Sequence, residues 1–358
     1  MSESQSNPPR SDIGLTPGER PTLKTISRIT GLAVATVSRA LNDAPDISAK
    51  TKARVRACAD TVGYFPNRAG VRLRTGKTNV ISLVMTTEHD IMNHTAQLIS
   101  SVAGGLRHTP YHLVVTPYFP DEDPMVPVRY VVETRSADAI ILNQTEPEDP
   151  RIAYLMEKEF PFATHGRTNW SDQHPYYDFD NERFAQLGIE ALARRGRKCV
   201  LVIAPPPYQS YGRAIIKGTR ETCERVGMKR LALQDVTSDS PSEDIATSVR
   251  GAITRHPEID ALFCGSTTAT MAAVVTAEEC GKVLGENFDA FSKESSPLLS
   301  RFRRGTISVR ENMSDTGQWL ARAVLQAIDK PQSAPLQKLE VPEFDDPLLH
   351  KTGVNTSK

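Results

Sequence analysis

Two sets of apolar residues recur at helical spacing between residues 22 and 42. Thr22 precedes the first set as an N-cap, and Gly31 between the sets supplies the backbone freedom that a tight turn needs. Helices this short do not persist alone in water, so the pattern predicts two helices that pack on each other and on a third. The two sets are Leu23, Ile26 and Ile29, and Val34, Val37 and Leu41.

The third helix is predicted over residues 48–63, which have an apolar face and a basic face. Pro66 ends this bundle, Asn67 can cap the next helix, and Arg68–Arg74 form that helix, which is short and strongly basic. The sequence therefore predicts a three-helix headpiece of the helix-turn-helix type, followed by a short basic helix. The inward residues of the third helix are Val55, Ala59 and Val62, and the outward ones are Lys50, Lys52, Arg54 and Arg56.

Beyond Gly76 the pattern changes to short apolar runs that alternate with helical stretches. This alternation predicts an α/β core of parallel sheets covered by helices. About 280 residues exceed one comfortable hydrophobic core, so two lobes of doubly wound parallel sheet are expected. The predicted strands are 80–85, 111–118, 137–144, 160–166, 199–206, 231–236 and 261–265, and the predicted helices are 93–108, 150–159, 181–195, 210–227, 242–256 and 268–280.

The charged residues are unevenly placed, although Lys plus Arg equals Asp plus Glu at 43 each. Residues 21–77 contain eleven Lys and Arg but three Asp and Glu, so the rest of the chain is acidic. A basic headpiece on an acidic body is typical of a protein with one polyanion-binding module. The alternative interpretation, a solvated charged face, fits less well because the charges lie on a helix-turn-helix pattern.

The five cysteines, at positions 58, 199, 223, 264 and 280, show no paired spacing. An odd, dispersed set is typical of free thiols in a reducing cytoplasm. No apolar run reaches the length of a membrane helix, and no N-terminal run resembles a signal peptide. We therefore expect a cytoplasmic protein without a membrane segment, with a polar, disordered lead-in over residues 1–20.

Two stretches and the spacing between them resemble the headpiece of the LacI family of bacterial transcription regulators: TLKTISRITGLAVATVSRALN and VGYFPNRAGVRLRTGKT. The match runs without a gap from Thr22 to Thr78. It implies a homodimeric regulator that binds a pseudo-palindromic double-stranded DNA operator. It also implies a periplasmic-binding-protein-like core with a small-molecule effector, a sugar or polyol, between its lobes. A repressor is expected; the alternatives are an activator of the same family and a solute-binding protein without a regulatory role.

The same resemblance divides the chain into segments with distinct roles. The chain is expected to cross between the lobes near 177–181 and 305–311, and a third time within 331–345. The segments are a disordered lead-in (1–20), the headpiece (21–66), the hinge helix and linker (67–77), an effector-binding and dimerisation core (78–345) and a tail (346–358), with lobe 1 at about 78–177 plus 308–330 and lobe 2 at about 178–307 plus 331–345.

The outer face of the second helix carries small and polar side chains, which suit close entry into the major groove. Arg39 can reach guanine acceptors there, and Thr36 and Ser38 can donate to phosphates. By the resemblance, Val34, Ala35 and Arg39 are base-reading positions, although Val34 can also pack in the core. The residues expected to contact DNA are Thr22, Val34, Ala35, Thr36, Ser38, Arg39, Asn42, Asn67, Arg68, Arg72 and Leu73.

Leu73 is the apolar residue of particular interest in the basic hinge segment. The resemblance implies that it enters the minor groove at the centre of the operator and kinks the duplex. The alternative is an apolar anchor that packs the hinge on the core. Gly70 in the same segment costs about 1 kcal/mol of helix stability relative to Ala. The hinge is therefore expected to be unfolded off DNA and to form a helix only on it.

Six polar residues at or near predicted strand-to-helix junctions are candidates for effector contacts, because α/β sheets bind ligands at the carboxyl ends of their strands. Each can equally be an ordinary loop or capping residue, and Asp180 and Asn181 directly precede a predicted helix. The sequence departs from the family pattern in this region: Ile215 stands where an Arg commonly precedes Gly218 by three residues. The candidates are Asp90, Asp180, Asn181, Arg213, Ser266 and Glu294.

No motif of a catalytic, metal or cofactor site appears in the sequence. His108 and His112 are four residues apart, but Pro110 lies between them and prevents a helical metal pair. We therefore expect no enzymatic activity, no metal ion and no cofactor.

Overall fold

The computed structural model describes residues 20–65, 70, 72, 75–87, 92–295, 299, 301, 303 and 305–344. These residues belong to two units, one up to Thr78 and one from Asn79 onward. The predicted lead-in before residue 20 and the tail from residue 346 lie outside the described residues, as do Asn67, Arg68, Leu73 and Asp90.

The first unit is built from the three predicted helices, Leu23–Thr30 (α1), Val34–Leu41 (α2) and Ala49–Val62 (α3). Ile29, which the spacing predicts to face inward, is instead 41% exposed. The reason is that Thr30 takes the buried position one turn after Ile26 and donates to the Ile26 carbonyl at 2.7 Å. The buried core of this unit consists of Ile26, Val37, Ala40, Val55, Ala59 and Val62.

Local capping sets the ends of these helices. Thr22 and Thr25 form a capping box, in which the hydroxyl of each accepts a hydrogen bond from the backbone N–H of the other. Gly31 ends α1 with a φ of 69°, in the left-handed region that favours glycine. Ala33 precedes α2 and provides no side-chain cap.

The second unit alternates strands and helices. Its strands are Val80–Thr86 (β1), His112–Tyr118 (β2), Ala139–Leu142 (β3), Phe162–His165 (β4), Tyr176–Phe179 (β5), Cys199–Ile203 (β6), Lys229–Ala232 (β7), Ala261–Cys264 (β8), Asp289–Glu294 (β9), Ile307–Arg310 (β10) and Gln337–Glu340 (β11). Its helices are Met92–Gly105 (α4), Met125–Thr134 (α5), Pro150–Glu157 (α6), Asn181–Arg194 (α7), Ser210–Val226 (α8), Ser242–Arg255 (α9), Thr267–Glu279 (α10) and Met313–Asp329 (α11). No helix among the described residues combines the length and apolar character needed to cross a membrane.

The strands form two parallel sheets, one in each lobe. Over the described residues the first sheet has the order β11-β5-β4-β3-β1-β2, and the second has the order β10-β9-β8-β6-β7. Strands β3, β6 and β8 are buried at every position, as expected for parallel strands covered by helices on both faces. The predicted α/β fold, a helix-turn-helix headpiece followed by two lobes of parallel sheet, is confirmed.

Strand β11 lies in the first lobe, so the prediction that 331–345 belongs to the second lobe is wrong for this strand. It pairs in parallel with β5, and the Tyr177 hydroxyl donates to Glu340 Oε2 at 2.6 Å. This pairing covers the edge of β5, which would otherwise leave backbone groups unpaired. Strand β10 lies in the second sheet, so residues 308–310 belong to the second lobe and not to the first.

The chain passes between the lobes three times within the described residues: at Asp180, at Glu311–Asn312 and after β11. Helix α11, which follows the second passage, packs in the core of the first lobe. The third passage reaches Phe344, whose ring packs edge-on against Phe291 of the second lobe, with ring centroids 5.4 Å apart. These passages bring the two sheets together around a cleft.

Candidate functional site

The outer face of α2 is available for DNA. Val37 and Ala40 are fully buried, whereas Val34 is 40% exposed and is not among the residues of the headpiece core. Ala35 and Arg39 are also exposed, and Thr36 and Ser38 are half-buried beside them. The arrangement provides a small, polar surface one helix wide, which fits the major groove.

Arg39 forms an ion pair with Asp46, and both side chains are exposed. Exposed ion pairs contribute about 0–1 kcal/mol, so a guanine or phosphate can replace this partner at little cost. Thr22 and Asn42 have capping roles: Thr22 lies in the capping box, and the Asn42 amide donates to the Ser38 carbonyl at 2.6 Å. DNA contact by these two residues remains a prediction.

Part of the hinge segment is described. Gly70, Arg72 and Thr75 have helical backbone, and the Gly76 N–H donates to the Arg72 carbonyl at 2.8 Å. Arg72 is exposed.

The cleft between the lobes contains a cavity of about 130 Å³, roughly ten times the space that one bound water needs. Its walls are the segments that directly follow the strands of both sheets, which is where α/β sheets bind ligands. The lining includes Asn143, Gln144 and Thr145 after β3, His165 and Gly166 at the end of β4, Asp178 and Asn181 at β5, Gly265–Thr268 after β8, Lys293 and Ser295 at β9, and Glu311 after β10, with His94, Tyr211, Ser238 and Asp239 from neighbouring segments.

Glu311 is a carboxylate of the cleft with three basic side chains around it. His165 Nε2 lies 3.1 Å from its Oε1, and Lys293 Nζ and His94 Nε2 lie 3.0 Å and 3.9 Å from its Oε2. Burial alone would raise the pKa of the Glu311 carboxyl, but the Lys293 ammonium and the two imidazoles outweigh it and hold that pKa well below its ordinary value. Glu311 is therefore ionised in the folded protein at neutral pH.

Lys293 lies on β9 of the second sheet and contacts residues of the first and the second passage between the lobes. Besides its ion pair with Glu311, its ammonium donates to Asn181 Oδ1 at 2.9 Å and lies 4.9 Å from the centroid of the Phe179 ring. The Asn181 amide is fixed in turn, because its Nδ2 donates to the Phe179 carbonyl at 2.8 Å.

Two further carboxylates, those of Asp178 and Asp239, belong to residues that line the cavity. Arg167 Nε donates to Asp178 Oδ2 at 2.7 Å, while the Tyr211 hydroxyl donates to Asp239 Oδ2 at 3.1 Å. Burial raises the pKa of Asp178, although Arg167 opposes this, and burial also raises the pKa of Asp239. Such carboxylates are suited to accept hydrogen bonds from hydroxyl groups of a ligand.

Asn143 and Gln144 have buried polar atoms without a protein partner. Asn143 Oδ1 and Gln144 Nε2 make no hydrogen bond within the part of the chain that the structure describes, and both residues line the cavity. An unsatisfied buried polar group costs about 1–3 kcal/mol, so these groups need a partner from the cavity. A hydroxyl group can donate to an amide oxygen and can accept from an amide nitrogen.

The structure brings two of the predicted effector residues, Asn181 and Ser266, to the cavity. Three others do not line it, which corrects the prediction. Asp180 accepts a hydrogen bond from the Arg183 N–H at 2.9 Å and caps α7, and Arg213 is exposed and donates to the Pro207 carbonyl. Glu294 accepts from the Leu299 N–H at 3.2 Å, because successive side chains of β9 point to opposite faces and Lys293 takes the cavity side.

Several functional candidates have no strong signal in the sequence. His94 and His165 lie 71 positions apart, and Glu311 follows a strand that is not assigned from the apolar pattern. His165 had one local signal, since it ends an apolar run that predicts a strand. Its role nevertheless depends on residues that only the tertiary fold brings to the same cavity, among them His94, Lys293 and Glu311.

Two family models match the chain. The one described as "Bacterial regulatory proteins, lacI family" matches residues 22–67. The one described as "Periplasmic binding proteins and sugar binding domain of LacI family" matches residues 111–334. The chain is also 27% identical over 326 residues to the HTH-type transcriptional regulator AglR of Rhizobium meliloti, across 88% of this chain and 90% of AglR.

Two solved structures have a similar fold. The lac repressor dimer bound to operator and the anti-inducer ONPF matches with a TM-score of 0.78 and 19% identity, over 91% of this chain and 97% of that one. The complex of the transcriptional regulator CelR with cellobiose matches with a TM-score of 0.65 and 20% identity, over 91% of this chain and 98% of that one.

Proposed function

The chain belongs to the LacI family of bacterial regulatory proteins, and from this premise we propose that its cleft binds a hydroxyl-rich effector that controls operator binding. As a member of that family it is a DNA-binding transcriptional regulator and not an enzyme.

The proposed class of effector rests on two amide atoms in the cavity wall that have no hydrogen-bond partner. Asn143 Oδ1 lacks a donor and Gln144 Nε2 lacks an acceptor within the described chain, and a hydroxyl group supplies both. Asp178, Asp239 and the hydroxyls of Ser266 and Thr268 add further groups that suit a polyhydroxylated ligand. A sugar or polyol is therefore proposed, and the cellobiose named in the CelR complex supports this class.

The operator is proposed to be pseudo-palindromic double-stranded DNA read by a homodimer. The basic headpiece presents Val34, Ala35 and Arg39 on an exposed helix face. Exposed apolar residues on the edge strand β2 (Val114, Val115) and on α10 (Met271, Val275) support association with a second copy. A two-fold dimer requires two related half-sites.

The protein is proposed to be a repressor whose operator affinity is lowered or raised by the effector. The alternative is an activator. The cavity is lined by both lobes and by residues of the passages between them, so a bound ligand changes the relative free energy of different lobe orientations. A ligand can shift operator affinity only by its differential affinity for those orientations. The protein is proposed to act in the cytoplasm, where the bacterial chromosome is.

Calorimetric titration of the full-length protein with a panel of mono- and disaccharides and polyols tests the effector class. We expect at least one such ligand to bind, and Asn143→Ala and Gln144→Ala each to weaken it by about 1–3 kcal/mol. Gln234→Ala, at an exposed glutamine, is the matched control and leaves the affinity unchanged. Binding that is equally strong in all three variants would place the ligand elsewhere.

A further inference from the structure

Three potential metal ligands from distant parts of the chain meet in the first lobe side of the cleft. His94 comes from α4, His165 from the end of β4, and Glu311 from the second interlobe passage. One ligand atom from each lies within 4.8 Å of the other two. His165 Nε2 lies 3.1 Å from Glu311 Oε1, and His94 Nε2 lies 3.9 Å from the other carboxylate oxygen, Oε2.

Two imidazoles and one carboxylate form a ligand set that suits divalent transition metals. Bonds of about 2.0–2.2 Å from Zn²⁺ to nitrogen and oxygen place neighbouring ligand atoms a little over 3 Å apart, so small side-chain shifts bring all three into range. A carboxylate offers either of its two oxygens to a metal ion, and an imidazole binds through Nε2 when its ring proton is on Nδ1. We propose that His94, His165 and Glu311 bind a divalent transition-metal ion, with open coordination positions that face the cavity.

Lys293 competes with the proposed metal ion for the Glu311 carboxylate. Its ammonium lies 3.0 Å from Glu311 Oε2, and a dication on the same oxygen repels it. Lys293 has other contacts that do not involve Glu311, namely Asn181 Oδ1 at 2.9 Å and the face of Phe179. The metal therefore displaces Lys293 from Glu311 while those two contacts persist, and metal and ammonium are alternative partners of one carboxylate.

This competition gives the site a distinctive response to mutation. His165→Gln removes a ligand and is expected to weaken metal binding at least about tenfold, since the loss of even an outer-shell partner costs 10–100-fold. Lys293→Met removes the competitor and is expected to strengthen metal binding. A nonspecific site made of surface histidines or thiols responds to neither change.

The test is a titration of full-length protein, stripped with a chelator, with Co²⁺ at pH 8, followed by visible absorption and by equilibrium dialysis. Wild type, His165→Gln, Lys293→Met and His108→Gln are compared, and circular dichroism shows that each is folded. His108 is an exposed histidine outside the cluster and serves as the control. No DNA or effector is present, so the outcome is independent of the proposed regulatory function.

We expect one Co²⁺ per chain in wild type, tighter binding in Lys293→Met, weaker binding in His165→Gln and no change in His108→Gln. Equal affinity in His165→Gln and His108→Gln would overturn the site. Weaker binding in Lys293→Met than in wild type would overturn the role of Lys293 as a competitor, and with it the geometry proposed here.

Discussion

Lys293 Nζ and Glu311 Oε2 lie 3.0 Å apart in the cleft and join a strand of the second sheet to the passage that leads back to the first lobe. Both side chains are largely buried, at 13% and 2% exposure. An ion pair in such surroundings is costly to break from one side, because the remaining charge is left without a counter-ion. Breaking this pair is therefore expected to destabilise the core, and both of its residues line the ligand cavity.

Lys293→Met is predicted to lower the free energy of unfolding by about 3 kcal/mol at neutral pH, since it leaves the Glu311 carboxylate buried without a full cation. Lys158→Met is the matched control, because Lys158 forms an exposed pair with Glu157 and its loss has little effect. Urea titrations of both variants and of wild type measure the difference. A Lys293→Met protein as stable as Lys158→Met would show that the pair makes no net contribution.

The same pair is predicted to make stability depend on pH in a defined direction. The folded-state pKa of Glu311 lies well below its ordinary value, so the pair contributes fully above the unfolded pKa of about 4.3 and its contribution is lost as the pH falls through the folded-state value. The stability difference between wild type and Lys293→Met should therefore be smaller below about pH 4 than at neutral pH. A stability difference that grows as the pH falls would contradict this prediction.

Arg39→Ala is predicted to weaken operator binding by about 1–3 kcal/mol and to relax base preference at one position. The exposed position of Arg39 on α2 is the reason, and its ion pair with exposed Asp46 is weak enough to be exchanged for DNA. Binding to a panel of single-base operator variants measures the preference, with Arg225→Ala, an exposed arginine of the core, as control. Unchanged preference across the panel would remove Arg39 from the base-reading residues.

Gly70→Ala is predicted to tighten operator binding by up to about 1 kcal/mol, because alanine lowers the entropy cost of ordering the hinge helix. Gly70 has helical backbone, and a Cβ at this position comes within 4 Å of no atom from other segments of the described chain, so the substitution introduces no clash with them. Anisotropy titrations with operator and with random DNA across a salt series measure the effect. Weaker binding to operator would indicate that the glycine itself is needed at the DNA surface.

The headpiece and the alternating elements of the core could be predicted because their signals are local. Ile26, Val37 and Val55 each belong to a set of apolar residues at helical spacing, and all three are buried in one core. The prediction that Ile29 faces inward is wrong, because residues three and four positions after Ile26 both lie on the same side of the helix and the buried one is Thr30. Strand β11 could not be assigned to a lobe, since QKLE has no apolar run and its place depends on pairing with β5, about 160 residues away.

The cavity was less predictable than the fold because its residues come from many segments. Ser266 and Asn181 follow the general rule that ligands bind after strand ends, and both line the cavity. Asp180 and Glu294 satisfy the same rule in sequence, but one caps a helix and the other lies on the opposite face of its strand. The polarity of a junction residue indicates neither which way it points nor which neighbours surround it.

Occupancy of the cleft is proposed to control operator affinity. Once a ligand is identified by titration, the most direct measurement is the operator Kd of wild type and of Asn143→Ala, with and without saturating ligand, by fluorescence anisotropy at fixed salt. We predict that ligand changes the wild-type Kd by about 5–150-fold, the usual range of allosteric coupling, and that Asn143→Ala needs a higher ligand concentration for the same change. A ligand that fills the cleft, as shown by its loss of affinity in Asn143→Ala, but leaves the wild-type operator Kd unchanged would contradict the claim.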